Sequence, residues 1–168
     1  AAHLKLELAR RNGIAAALKL PFLDSFLAEL APAHGNTRAL TRSGLQALLD
    51  GILETSEVLE AAELAPVHNY LQAAGGDKDA VALRRFQLSD RLAGLFTDYA
   101  VTRPGLAAAW PKGASLAEGS TTEVWQRHLW LQLFGARGAL ARIRERDGVD
   151  WVPLPRLFTH TPSAHLQL

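Results

Sequence analysis

The chain has 168 residues, 48% of them hydrophobic and 21% charged, with a formal net charge of +1 and no cysteine. That length supports one domain burying roughly 68–70% of its unfolded surface, and the composition is ordinary for a soluble globular protein. Without cysteine there is no disulfide framework, thiolate metal site or thiol nucleophile. No apolar run approaches the roughly 18 residues of a membrane-spanning helix, and no basic-then-apolar segment opens the chain. A cytoplasmic protein without a membrane partner is expected.

In chain order, residues 2–12 read as a helix, with Gly13 as a left-handed terminator. Ile14–Leu20 is a short apolar run; periodicity leaves strand and helix start both open. Phe22–Leu30 reads as a helix closed by Ala31-Pro32, and Ala33–Arg38 as a polar loop. Ser43-x-x-Gln46 has the form of a capping box for a helix through about Glu54. Ser56 is placed to cap the next, through about Leu64, and Pro66 suits the first turn of another, through about Ala74.

Gly75-Gly76 is a loop, and Asp77 is a good N-cap for a long helix to about Thr102. Leu88, Leu92, Leu95, Phe96 and Tyr99 lie on one stripe of that helix, while Arg84, Arg91 and Asp98 recur every seven residues on another. Pro104 removes an N–H and turns Arg103 away from helical angles, so the helix stops there. A short helix over 104–110, a loop over 111–119 and a second capping box, Ser120-x-x-Glu123, follow. The latter starts a helix through Phe134 with Glu123 and Arg127 four apart. Leu140–Arg146 reads as helical, ending at Asp147-Gly148, and the proline-rich tail from Asp150 as extended or irregular.

Charge is uneven. Asp50, Glu54, Glu57, Glu60 and Glu63 form a run with no base, whereas Arg84–Arg146 holds ten bases against five acids. The second segment is able to face phosphates or simply to be an Arg-rich solvated surface. The acidic run reads as a solvated face before a metal site. His160 and His165 straddle Pro162, a poor ligand geometry. His128, among Trp125, Leu129 and Trp130, reads as a surface or partly buried side chain. No phosphate-cradling loop and no nucleophile elbow occurs, so no catalytic residue, metal site or cofactor is assigned. The tryptophans at 110, 125, 130 and 151 suit either the core or stacking on unpaired bases, with Trp110 and Trp125 favouring the core. Trp130 lies about 100° around the helix from Leu129, so one of the two is expected to be exposed. Arg103 suits either a free functional side chain or one satisfying the carbonyls at the helix end.

The order F-Q-L-S…L-F-x-x-Y-x-x-x-R-P-x-x-L-x-x-W over Phe86–Trp110 resembles the exodeoxyribonuclease V gamma subunit family, the RecC proteins of bacterial RecBCD complexes. Further anchors are Leu4-x6-Arg11-Asn12-Gly13-Ile14-Ala15-Ala16 with Leu20-Pro21 and Phe26-Leu27, then Tyr70-Leu71 with Asp77-Lys78, and Trp125-x3-Leu129-Trp130. They appear in family order over about residues 1–135, and 136–168 finds no match.

The resemblance implies a superfamily 1 helicase-like subunit without ATP-binding motifs. It implies a scaffold on which duplex is split and the 3′-ended strand is inspected for Chi. The expected fold is mainly α, an irregular multi-helix domain inserted in a helicase-like fold, with at most one or two short strands near the N-terminus. Residues 1–32 would be the remnant of a RecA-like subdomain and 33–168 the helical domain. A chain without Met that opens within a helical pattern is then expected to be a fragment of a larger subunit.

The expected role is non-catalytic DNA binding and scaffolding in recombinational double-strand-break repair. Its partners would be single-stranded or duplex DNA and RecB-like and RecD-like subunits that carry the ATPase and nuclease sites. A helical domain that contacts partner subunits only is the alternative. Carried onto matching positions, the resemblance points to Leu95 and Arg103 as strand-facing, with the Arg84/Arg91 face beside them. Gly94, Thr97 and Ala28 lack the acidic or aromatic residues of well-known members, which puts recognition of the same Chi sequence in doubt while leaving generic strand contact open.

Overall fold

The computed structural model describes residues 2–13, 36–114 and 120–153. The expectations for 14–20, 22–30 and the tail beyond 153 lie outside the described residues. Helices dominate. Helix α1 (Ala2–Asn12) ends at Gly13, whose φ of 80° is left-handed as expected. Strand β1 (Thr37–Leu40) follows, then α2 (Arg42–Glu54) and α3 (Ser56–Leu59). A 3-10 turn at Ala62–Leu64 runs into α4 (Ala65–Gln72). The long α5 (Lys78–Thr102) leads to α6 (Pro104–Ala109) and a 3-10 turn at Trp110–Lys112. Helices α7 (Thr121–Phe134) and α8 (Ala139–Asp147) and strand β2 (Asp150–Pro153) complete the order.

The termini follow the chemistry of the chain. Asp77 accepts from the N–H groups of Asp79 and Ala80 and starts α5, and Ser120 accepts from the Glu123 N–H and starts α7. Arg103, at φ −134° and ψ 57°, leaves helical space just before Pro104, which opens α6. Pro66 sits in the first turn of α4. Gly148 closes α8 at φ 68°.

Three expectations about element limits are corrected. Thr41, not Ser43, caps α2: its hydroxyl accepts the Gly44 N–H at 3.1 Å. Strand β1 holds Thr41 in extended space, so the first hydroxyl after the strand takes the cap. The helix expected from Ser56 to Leu64 breaks after Leu59 into a separate 3-10 turn. The polar loop expected through Arg38 gives way at Thr37 to a strand.

That strand pairs in parallel with β2, with Thr37 opposite Asp150 and Leu40 opposite Pro153. The second strand therefore lies far from the N-terminus, and the two bracket the helices from α2 to α8. Asn36 ties the start of the pair, donating to the Gly148 carbonyl at 3.0 Å and accepting the Asp150 N–H at 3.0 Å.

One core joins the helices. Leu45, Leu49, Ile52 and Leu53 of α2 pack with Leu92, Ala93 and Phe96 of α5 and with Leu129, Trp130 and Leu133 of α7. Both Leu129 and Trp130 are buried, against the expectation that one would be exposed. Helix α7 is covered on two sides: it touches α2 and the 62–64 turn, and also the 110–112 turn and α8. Trp130 packs edge-on to Phe96 at 5.3 Å and to Trp110 at 5.5 Å, and lies 4.4 Å from Phe134. Trp110 is a core residue as well, and Trp125 and Trp151 pack against the core from its edge. Arg85 of α5 bridges Asp50 at 3.0 Å and Glu54 at 3.3 Å, which places two members of the acidic run in ion pairs. No helix among the described residues is long and apolar enough to cross a membrane.

Candidate nucleic-acid interface

Residues four or seven apart on a helix share a face. Arg84, Arg91 and Leu95 therefore line one edge of α5, and Arg103 stands at the C-terminal end of the helix, off that edge. From Arg91 to Arg103 is about 18 Å of helix. Arg91 and Arg103 are exposed, and neither guanidinium has a partner among the described residues. Arg103 anchors its position through the backbone alone, its N–H donating to the Tyr99 carbonyl at 3.0 Å. The guanidinium is thus not used on the end of α5.

The other two residues are less available. The Arg84 side chain is half-buried: it donates to the Tyr70 carbonyl at 3.0 Å and lies 5.6 Å from the centre of the Tyr70 ring. Leu95 is partly buried and packs against the core, so only its outer edge is open. Asp98, exposed on the same edge, is a carboxylate that any phosphate must avoid.

At the Arg103 end the surface opens into a cavity of about 510 Å³. Arg103, Tyr99 and Leu106 form one wall, and Ser120, Glu123 and Gln126 of the first turns of α7 form the other. Two side-chain bonds hold the walls together. The Trp110 indole N–H donates to Glu123 Oε1 at 2.9 Å, and the Tyr99 hydroxyl donates to Gln126 Oε1 at 2.9 Å. The sequence marks Glu123 only through the capping box and its i,i+4 spacing to Arg127, and does not mark Gln126. The available signal was their spacing: they share a face of α7 with Trp130 and Leu133, so they are polar residues on an apolar stripe.

Other clusters offer less. His128 stands 3.9 Å from Glu63 and near the Gln132 amide, with its side chain 23% exposed, which fits its expected partly buried role. No group of three or more potential metal ligands gathers among the described residues.

Comparison with known proteins bears on this geometry. The family model described as RecC, N-terminal domain, matches residues 1–149. The chain belongs to the RecC family. It is 32% identical over 114 residues to the RecBCD enzyme subunit RecC of Haemophilus influenzae, covering 66% of this chain and 10% of that protein. The Mycobacterium tuberculosis RecC is 42% identical over 92 residues, covering 48% of the chain and 8% of the relative. The Escherichia coli RecC is 30% identical over 135 residues, covering 77% and 11%. The chain thus spans about a tenth of the length of the curated relatives it matches. No solved structure matches it. The match to residue 149 carries the RecC likeness beyond the anchors of 1–135 through α8.

Proposed function

We propose that this domain is a non-catalytic, strand-contacting scaffold of a RecC-like subunit in a RecBCD-type helicase-nuclease acting in double-strand-break repair. RecB-like and RecD-like chains would be its partners and carry the ATPase and nuclease chemistry. The observation that carries the reading is a pair of exposed guanidiniums without a partner among the described residues, Arg91 beside the half-open Leu95 on one edge of α5 and Arg103 at the C-terminal end of that helix, in a RecC-family domain. Two positive charges separated by about 18 Å of helix rise, with an apolar residue between them in sequence, suit a single strand, whose phosphates need cations and whose bases need apolar contact. Arg84 serves this edge through its position on Tyr70 rather than as a free charge.

The parallel β1–β2 pair supports the reading of an inserted helical block, with both strands falling inside residues 33–168 and not in 1–32. Parallel strands need a crossover connection and occur in α/β sheets. A helical block inserted between two strands of a RecA-like subdomain would have this form.

Binding of a single-stranded oligonucleotide, followed between about 50 and 200 mM salt, tests the reading. Arg91→Ala and Arg103→Ala should each lower affinity uniformly across sequences and reduce the salt slope by about 1. Unchanged slopes in both variants would remove the assigned edge.

The second reading, a domain that contacts partner subunits only, is favoured by Leu83 and Phe86. Both are 57% exposed on a side of α5 away from the arginine edge. On that reading oligonucleotide binding is absent, and association with a partner chain has a weak salt slope.

A further inference from the structure

The cavity beside Arg103 holds a polar group that the fold does not use. Gln126 is only 8% exposed, and its carbonyl oxygen is taken by the Tyr99 hydroxyl at 2.9 Å. That bond orients the amide, and its nitrogen has no partner among the described residues. The nitrogen is not sealed in the interior either, since no buried side-chain polar atom is left without a partner. The opening available to it is the cavity that Gln126 lines. The amide is held at its oxygen end, and its two N–H groups remain available as donors.

The neighbours of that amide define what fits. Arg103 supplies a fixed positive charge at the rim, and the cap end of α7 at Ser120 supplies backbone dipoles. Tyr99 and Leu106 supply apolar wall. A volume of about 510 Å³ lies within the range of small-ligand sites and admits a whole nucleotide. A phosphate on Arg103 places the attached base inward, where its carbonyl or ring-nitrogen acceptors meet an N–H donor.

From this geometry we infer that the cavity receives one unpaired nucleotide and that Gln126 is the residue that reads its base. The inference rests on the strand reading above and adds to it a specificity determinant on α7, outside the arginine edge. Tyr99 is then a positioning residue, because its hydroxyl decides which end of the amide faces the ligand.

The test measures binding of this chain to dT, dC and dA 12-mers and to a 12-mer of abasic sites, by fluorescence anisotropy at low salt. Wild type should bind the best base-bearing 12-mer about tenfold more tightly than the abasic one. Gln126→Met should lower that preference to threefold or less. Gln126→Glu keeps the acceptor for the Tyr99 hydroxyl and replaces the donor, so it should reorder the preference among the three bases. It also serves where the Met variant does not fold. Arg103→Ala should weaken all four probes alike.

If both Gln126 variants keep the wild-type order and ratio, the base-reading role is overturned while strand binding stands. A wild-type preference for bases below twofold also overturns it. If wild type binds none of the probes, the strand reading itself fails.

Discussion

The indole N–H of Trp110 donates to the Glu123 carboxylate at 2.9 Å, linking the turn after α6 to the first turn of α7 inside the core. Both residues are buried, Trp110 to 1% and Glu123 to 7% exposure. The bond joins two segments that line the cavity. Glu123→Ala should destabilise the domain by about 1–3 kcal/mol through the orphaned N–H. Glu123→Gln, which keeps an acceptor, should cost less. Urea unfolding at constant slope reads both, and an Ala variant as stable as wild type would contradict the assignment.

Phe96 is 1% exposed and meets Trp130 edge-on. Phe96→Ala removes a ring from the contact between α5 and α7, with a cost of about 3–5 kcal/mol. The expected readout is a large fall in the denaturation midpoint together with altered tryptophan fluorescence.

Two neighbouring hydroxyls at the start of α2 should behave differently. Thr41→Ala loses the cap on Gly44 and should cost about 1 kcal/mol, whereas Ser43→Ala should stay within about 0.5 kcal/mol. Thermal melts of the pair check the order, and equal losses would return the cap to Ser43.

Gly148 closes α8 in left-handed space, and its carbonyl receives the Asn36 amide. Gly148→Ala should cost about 1–2 kcal/mol. The loss should appear locally, as faster amide exchange in β1 and β2 than in α5.

Arg84 is tied to Tyr70 by a hydrogen bond and by its position over the ring. Arg84→Ala should lower stability by about 0.5–1 kcal/mol. Its effect on the oligonucleotide salt slope should be smaller than that of Arg91→Ala, and the reverse ranking would shift the strand path toward Tyr70.

What the sequence makes legible follows its local chemistry. Asp77, Pro104 and Ser120 act within a few residues of themselves, so the limits of α5 and the start of α7 can be read directly. The RecC likeness rests on ordered side chains along the chain and is equally local. Strand β1 is different. Thr37–Leu40 is four residues long and becomes a strand only by meeting residues 150–153. The burial of both Leu129 and Trp130 also needs knowledge of what covers α7 on each side.

The site divides the same way. Arg91 and Arg103 are visible as charges at helical spacing and at a proline boundary. The capture of Arg84 by Tyr70 depends on how α4 meets α5. The unspent amide of Gln126 depends on the Tyr99 hydroxyl 27 residues earlier. Neither relation leaves a local trace in the order of residues.

The pairing of β1 with β2 has a consequence for assembly of the chain. Its partners are far apart in sequence, and Asn36 already reaches across 112 positions to Gly148. Bringing such distant ends together is entropically unfavourable until the intervening helices have condensed and shortened the path. The strand pairing is therefore expected to register after the helices between the two strands have formed. Because the polypeptide enters and leaves the helical block side by side and in the same direction, insertions within the block's surface loops leave that pairing where it is.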